Sequence, residues 1–249
     1  MYSFHAAVQN FTLRDAFGSD LSGTLKALHD MGMRYCETAG LYGLSPAEAK
    51  DPFDKKKLQA IGAHYGLDHL EVAFDAVVHE AQTMGFDFVV LPWIGQDIYG
   101  GGWAQVADRL NRLGQRYRQE GLELLYHNHS FEFELENGKP GFDILMEGAE
   151  AFGFELDVYW CFASGFDPVD YVKRLSGRLP LAHFKDGIPG NNPEHVPCGQ
   201  GKIDWAPLLE ACEDAGVRYG IIELDESPID PIEAVRQSLE FLVSRGVPA

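Results

Sequence analysis

Short apolar runs alternate along the chain with longer segments in which apolar residues recur every three or four positions. The runs predict β-strands, the longer segments predict amphipathic helices, and their alternation indicates βα units around a parallel sheet. The predicted strands are Ser3–Ala7, Arg34–Thr38, Leu67–Phe74, Phe86–Trp93, Leu122–Asn128, Phe154–Tyr159, Leu179–Phe184 and Gly220–Leu224. The predicted helices are Leu21–Met31, Pro52–Tyr65, Ala73–Met84, Gly102–Glu120, Phe142–Ala151, Pro168–Leu175, Trp205–Ala215 and Pro231–Ser244.

Eight such units in 249 residues predict one closed α/β barrel rather than two domains. A (β/α)8 TIM barrel commonly uses about 250 residues, and no linker rich in Ser, Pro or Gly divides this chain. We therefore expect a single TIM barrel domain over residues 1–249. The third unit is expected to be shortened or distorted, because only about 20 residues separate Tyr65 from Phe86.

Composition narrows the class of protein. A hydrophobic content of 45% argues for a folded chain, and a net charge of −18 argues against binding to nucleic acid. The N-terminal segment lacks the pattern of a secretory signal, and no apolar run reaches the length of a membrane span. Four scattered cysteines contain no C-x-x-C pair, which is typical of structural thiols in a reducing compartment. We expect a soluble, cytoplasmic protein with no membrane partner, and the sequence is also compatible with a homo-oligomer.

Several common catalytic motifs are absent from the sequence. No G-x-G-x-x-G follows the first predicted strand, which argues against a dinucleotide-binding fold. Neither the P-loop motif nor the G-x-S-x-G elbow of many esterases occurs. The sequence therefore predicts neither nucleotide binding nor esterase activity of these common types.

Ionisable side chains gather where the last four predicted strands end. Strand five runs into His127-Asn128-His129, and strands six, seven and eight deliver Asp157, His183 and Glu223. Strand ends converge on one axis in a barrel, and active sites lie there. Two imidazoles and two carboxylates suit Mn²⁺, Zn²⁺, Co²⁺ or Fe²⁺ better than Mg²⁺ or Ca²⁺. The spacing alone leaves open whether His127, Asp157, His183 and Glu223 bind a metal or form a buried ion-paired network.

Seven segments, in order along nearly the whole chain, carry a resemblance to a known family. They are CETAGLYGLS (36–45), VVLPWI (89–94), YHNHSFEF (126–133), ELDVYW (155–160), AHFKD (182–186), GQGKIDW (199–205) and IIELDE (221–226). The sequence resembles the sugar phosphate isomerase/epimerase superfamily of xylose isomerase-like TIM barrels, which includes DNA repair endonucleases and inosose dehydratases. The resemblance implies a TIM barrel with a divalent metal at the strand ends.

The resemblance also implies the ligands of that metal. In the family, the ligands are a carboxylate on strand five, Asp on strand six, His on strand seven and Glu on strand eight. The matching positions in this sequence are His127, Asp157, His183 and Glu223. The first position departs from the family, because H-N-H stands where relatives resemble E-N-H. The resemblance therefore does not decide which residue is the strand-five ligand, and His129 and Glu132 are alternatives to His127.

The reaction implied is proton abstraction next to the carbonyl of a sugar or polyol, through a metal-stabilised enediolate. Glu223 is expected to act as the base, with His129, Lys185 and Glu37 as groups that move protons or polarise a hydroxyl. Reprotonation gives isomerisation or epimerisation. Elimination, as in an inosose or 3-keto-glycoside dehydratase, is the alternative. The H-N-H departure also keeps a noncatalytic sugar-binding barrel, or a subunit of a larger complex, under consideration.

Other segments suggest the limits of the substrate site. Repair endonucleases of the superfamily carry D-x-x-H on strand six, whereas Trp160 stands in place of that His here, so a trinuclear zinc site is not expected. His69 is expected to replace the histidine that relatives place at the third strand end, unless the pocket wall is open there.

The loop Gly187–Lys202 is a candidate lid. An aromatic floor for a sugar ring is expected from Phe4, Trp93, Tyr126, Trp160 and Phe184.

Overall fold

The computed structural model describes residues 1–190 and 194–249, and its central element is a closed barrel of eight parallel strands. The strands follow one another around the barrel in chain order, and the eighth pairs with the first. They are His5–Gln9 (β1), Tyr35–Thr38 (β2), Gln59–His64 (β3), Phe88–Leu91 (β4), Glu123–His127 (β5), Gly153–Asp157 (β6), Leu181–Phe184 (β7) and Tyr219–Ile222 (β8). The predicted (β/α)8 TIM barrel is confirmed.

Helices connect the strands and cover the outside of the barrel. They are Arg14–Ser19 (α1), Leu21–Asp30 (α2), Pro46–Lys55 (α3), Leu67–Val72 (α4), Phe74–Met84 (α5), Gln96–Tyr99 (α6), Trp103–Gln119 (α7), Gly141–Gly148 (α8), Val158–Ala163 (α9), Pro168–Arg174 (α10), Trp205–Ala215 (α11) and Pro231–Ser244 (α12). Two short hairpins pair Leu135–Glu136 with Lys139–Pro140, and Asp186–Ile188 with Glu194–Val196. None of the helices in residues 1–190 and 194–249 has the length and apolar character of a membrane span.

The predicted third unit is wrong in its boundaries. The segment predicted as helix Pro52–Tyr65 contains the end of α3 and the whole of β3, and the segment predicted as strand Leu67–Phe74 forms α4. Since β3 ends at His64, there is room for both α4 and α5 before β4, and the unit is not shortened. The strand was missed because its sequence, QAIGAH, contains Gly and Ala where strands usually carry β-branched or aromatic residues.

The barrel interior changes from apolar to polar along the strand direction. A compact apolar layer fills its amino-terminal part, and includes Ala7, Leu125, Leu181 and Ile221. Two residues further along the same strands, the inward positions carry Gln9, His127, His183 and Glu223. Because alternate strand residues point to the same face, these polar side chains form the next layer inside the barrel. The fold thus places a layer of ionisable groups on an apolar base.

One glycine on the outside of the barrel is required by close packing. A Cβ atom at Gly114 of α7 would lie 2.2 Å from the backbone oxygen of Ala151, which cannot rotate away. Gly114→Ala is therefore expected to destabilise the fold by about 1–3 kcal/mol, measured by denaturant unfolding. Gly18→Ala is the matched control, since nothing lies within 4 Å of a Cβ in that part of α1. An unfolding free energy for Gly114→Ala equal to that of Gly18→Ala would contradict the packing described.

Candidate metal and substrate site

Nine polar side chains, together called the polar layer, meet inside the barrel at the carboxyl ends of the strands. Each strand except β4 contributes at least one, or places one just beyond its last residue. They are Gln9, Glu37, His64, His127, Glu155, Asp157, His183, Lys185 and Glu223. All are buried except His64, whose side chain is 11% exposed. So many ionisable groups out of contact with water are stable only when they pair with one another or with a bound ion.

Two overlapping sets of these groups bring four donor atoms within 4.8 Å of one another. The upper set is the one expected from the sequence: His127, Asp157, His183 and Glu223. The lower set shares two histidines with it and is His64, His127, Glu155 and His183. Both offer imidazole nitrogen and carboxylate oxygen, the donors that Zn²⁺, Mn²⁺, Co²⁺ and Fe²⁺ accept. The residues present therefore fit a divalent transition metal.

His183 is the centre of the polar layer. Its Nδ1 atom lies 2.8 Å from Glu223 Oε2, and its Nε2 atom lies 2.9 Å from Glu37 Oε2. Burial opposes the charged form of this ring, but Glu155 and Glu223 outweigh burial and raise the pKa of His183 well above its usual value. The two ring nitrogens of His183 thus face carboxylates on opposite sides of the ring.

Lys185 occupies the space between three carboxylates. Its Nζ atom lies 3.0 Å from Asp157 Oδ2, 3.0 Å from Glu223 Oε2 and 2.8 Å from Asp225 Oδ1. Burial alone would lower the pKa of this amine, but Asp157, Glu223 and Asp225 raise it well above its usual value. Lys185 is therefore a buried cation that contacts two members of the upper donor set.

Of the three strand-five alternatives, His127 alone belongs to the donor sets. Glu132 instead accepts hydrogen bonds from the backbone N–H of His129 at 2.9 Å and from the hydroxyl of Tyr126 at 2.8 Å. Burial raises the pKa of Glu132 to about 8. Burial and the nearby Lys185 lower the pKa of His129 to about 4, so its ring is neutral at pH 7. Glu132 thus fixes the loop that carries His129.

A cavity of about 590 Å³ opens onto the polar layer. His64, His127, His129 and Glu223 line it, whereas Glu37, Asp157, His183 and Lys185 lie behind its wall. His69 also lines it, but from α4 rather than from a strand end, and the third strand end carries His64 instead. The expectation that His69 takes the strand-end position is therefore wrong.

The predicted aromatic floor is only partly in the cavity. Trp93 lines it and is 57% exposed, and Trp160 lines a neighbouring cavity together with His195. Phe4, Tyr126 and Phe184 instead pack in the hydrophobic core, where they are at most 1% exposed. Phe11, which was not predicted as a site residue, lines the main cavity and is 41% exposed. The aromatic surface available to a ligand is therefore at the mouth of the cavity rather than on its floor.

The loop expected to act as a lid, Gly187–Lys202, is partly tied to the barrel. The Asp186 carboxylate accepts hydrogen bonds from the backbone N–H groups of Gly199 and Gly201 and from the indole of Trp205. These contacts give the GQGKIDW segment a structural role. Residues 191–193 of the predicted lid lie outside the described residues.

Three polar-layer residues were not predicted as site residues: Gln9, His64 and Glu155. Glu155 could have been found, because it lies two residues before Asp157 and alternate strand residues share a face. His64 was missed because its strand was predicted as part of a helix. Gln9 donates to Glu37 Oε2 at 2.7 Å, and no pattern in the sequence marks that contact.

Three proteins illustrate what the chain is similar to. Inosose dehydratase of Lacticaseibacillus casei is 23% identical over an alignment that covers 85% of this chain and 85% of that protein. A sugar phosphate isomerase/epimerase from Parabacteroides distasonis has a crystal structure that superposes with a TM-score of 0.81 at 20% identity, covering 99% of this chain and 96% of that one. The crystal structure of the IolI protein with a bound zinc atom superposes with a TM-score of 0.71 at 17% identity, covering 97% of each chain.

The sequence profile of one family matches most of the chain. Its description is "Xylose isomerase-like TIM barrel", and the match runs over residues 25–245. This range includes β2 to β8 and every metal-capable donor described above. The chain therefore belongs to the xylose isomerase-like TIM barrel family, an enzyme superfamily.

Proposed function

We propose that this chain is a divalent-metal-dependent sugar isomerase or epimerase, folded as one domain over residues 1–249. It acts on a sugar, keto-sugar or other polyol by removing a proton next to a carbonyl group. The observation that carries this proposal is the meeting of two imidazoles and two carboxylates beneath a cavity of about 590 Å³. Cavities of roughly 300–1,000 Å³ are typical of small-molecule sites.

The upper donor set, His127, Asp157, His183 and Glu223, is the proposed holder of the ion. The polar layer also leaves Glu37 Oε1 without a hydrogen-bond partner among residues 1–190 and 194–249, which indicates negative charge that the protein's own donors do not fully satisfy. When bound, a divalent ion polarises a carbonyl oxygen and so makes the adjacent C–H more acidic. The zinc atom in the structural relative IolI is consistent with this assignment.

The chain's own residues supply the proton transfers. Glu223 is the proposed base, because its carboxylate lines the cavity just beyond the end of β8 and belongs to the upper donor set. Lys185, 3.0 Å from Glu223 Oε2, holds that carboxylate in place. His129 also lines the cavity, and its neutral ring can accept or return a proton at a second position of the substrate. Glu37 acts from behind the wall, through its contact with His183.

The cavity mouth is suited to the apolar face of a sugar ring. Trp93 and Phe11 are both exposed there, and flat aromatic faces pack against the C–H groups of sugars. An unphosphorylated substrate is favoured, since the cavity lining contains no arginine or lysine among its described residues. Polyol hydroxyls would then meet the carboxylates and imidazoles deeper inside.

A dehydratase is the second candidate. It uses the same proton abstraction, followed by loss of a β-hydroxyl group instead of reprotonation. The similarity to an inosose dehydratase over 85% of both chains favours it specifically. The two candidates share the site and differ in what the substrate carries next to the carbon that loses its proton.

Elemental analysis and product analysis test the proposal together. We expect purified protein reconstituted with Mn²⁺, Co²⁺ or Zn²⁺ to retain about one ion per chain, since the upper set offers four donors. The loaded protein is then incubated with a panel of keto-hexoses and inososes, and the products are identified by NMR. An epimer or isomer supports the first candidate and an enone or dehydrated product supports the second. Retention of no ion by the wild-type protein would overturn both.

A further inference from the structure

A single carboxylate oxygen lies among three histidine rings inside the barrel. Glu155 Oε2 is 2.9 Å from His64 Nε2, 3.2 Å from His127 Nδ1 and 3.1 Å from His183 Nε2. The three rings come from β3, β5 and β7, and Glu155 comes from β6. The contact with His64 has hydrogen-bond geometry, and the other two are close contacts. Glu155 is itself 0% exposed, and its other oxygen has no hydrogen-bond partner among the described residues.

Each of the two histidines of the upper donor set turns one ring nitrogen toward Glu155. His183 presents Nε2 both to Glu37, at 2.9 Å, and to Glu155, at 3.1 Å, and its Nδ1 atom faces Glu223 on the opposite side. His127 presents Nδ1, which leaves its Nε2 atom on the other side of the ring. An imidazole that binds an ion is neutral, with one N–H and one lone pair, so a carboxylate beside one ring nitrogen favours the N–H there and leaves the lone pair of the other nitrogen for the ion.

The charge of the upper set gives this arrangement a reason. On β5 the set holds the ring of His127 rather than a carboxylate. Glu155 places a negative charge on the neighbouring strand, opposite His127 in the register and 3.2 Å from its Nδ1 atom. Histidine ligands of metals commonly donate their second N–H to a carboxylate, which fixes the ring and increases its basicity.

The geometry points to Glu155 as a positioning residue, whose carboxylate lies against one ring nitrogen each of His127 and His183 and so directs their other nitrogens to the divalent ion. This inference rests on the proposed function, because it takes the upper set as the ligands. The competing assignment is that Glu155 is itself a ligand, as a member of the lower set with His64, His127 and His183.

The test measures Zn²⁺ and Co²⁺ affinity in four variants of the full chain. Glu155→Gln removes the charge at nearly constant shape, and Glu155→Asp retains it. Asp157→Asn alters a proposed ligand of the upper set only, and Glu123→Gln is the control at the opposite end of β5, where the side chain is exposed. Far-UV circular dichroism of each variant establishes that the barrel is folded before the ion is added.

We expect Glu155→Gln to bind one ion per chain about 10–100-fold more weakly than the wild type. Glu155→Asp should retain most of the affinity, Glu123→Gln all of it, and Asp157→Asn should lose more than Glu155→Gln. The visible spectrum of bound Co²⁺ should keep its ligand-field bands in Glu155→Gln, since the ligands remain in place.

Two results would overturn the inference while leaving the metal site intact. Unchanged affinity in Glu155→Gln would mean that the carboxylate does not position the histidines. Loss of the ion in Glu155→Gln with retention in Asp157→Asn would mean that Glu155 is a ligand of the lower set. Failure of the wild-type protein to bind either ion would instead overturn the proposed function.

Discussion

Replacing Lys185 with methionine is expected to lower the free energy of unfolding of the metal-free protein by about 3–5 kcal/mol. Lys185 is the buried cation shared by Asp157, Glu223 and Asp225, of which Asp157 and Glu223 are buried and Asp225 is 30% exposed. Methionine fills a similar volume but leaves these carboxylates without their positive partner. Denaturant unfolding of the wild type and of Lys185→Met, both in the presence of a chelator, measures the difference.

A divalent ion should reduce that difference. Asp157 and Glu223 are both proposed ligands, so a bound ion would supply the positive charge that the methionine variant lacks. Lys26→Met is the control, because Lys26 pairs with Asp30 on the surface of α2 and its side chain is 62% exposed. Exposed ion pairs contribute little to stability, and we expect no measurable change in the control. Equal stability of Lys185→Met and Lys26→Met would contradict the buried network described here.

Replacing His183 with alanine is expected to abolish metal retention and to lower kcat/KM by at least about 10³-fold. The ring contacts Glu223 on one side and Glu37 on the other, and it belongs to both donor sets. The loss of several kcal/mol of charge stabilisation corresponds to a rate reduction of this size. Metal content by elemental analysis and initial rates on the substrate found in the product screen are the measurements.

The His183→Ala result needs two comparisons. His79→Ala removes an exposed histidine from α5 and should keep the ion and the activity of the wild type. His183→Asn retains a polar side chain between the carboxylates, so that a folded variant without metal can be obtained even where alanine destabilises the barrel. A His183→Asn protein that is folded and binds the ion as tightly as the wild type would refute the role of this histidine.

The alternation of apolar runs with helical periodicity was sufficient to predict the barrel. Seven of the eight strands overlap the predicted ranges, and most of these contain the Val, Ile, Leu and Phe residues that are typical of a sheet covered on both faces. The third strand does not, since QAIGAH carries small residues whose strand conformation is imposed by pairing with β2 and β4. Tertiary pairing of this kind has no local signature in the sequence.

The candidate site was predictable at the level of strand ends but not at the level of contacts. The positions of His127, Asp157, His183 and Glu223 follow from the register of the last four strands, and the structure brings all four together. The position of Lys185 between carboxylates depends on the conformation of its long side chain inside the barrel, which the sequence does not specify. Glu155 shows the same limit, because alternation gives the face of a residue but not the three rings that it meets.

Hydrogen exchange with solvent is the most direct test of metal-dependent proton abstraction. Keto-hexoses and inososes are incubated in D₂O with metal-loaded wild-type protein, chelated protein and metal-loaded Glu223→Gln, and deuterium incorporation is followed by NMR. We predict deuterium at the carbon next to the carbonyl of at least one compound, with loaded wild type only. A compound that binds the loaded protein, as shown by calorimetry, yet gains no deuterium and yields no product would contradict the proposed chemistry and indicate a noncatalytic sugar-binding barrel.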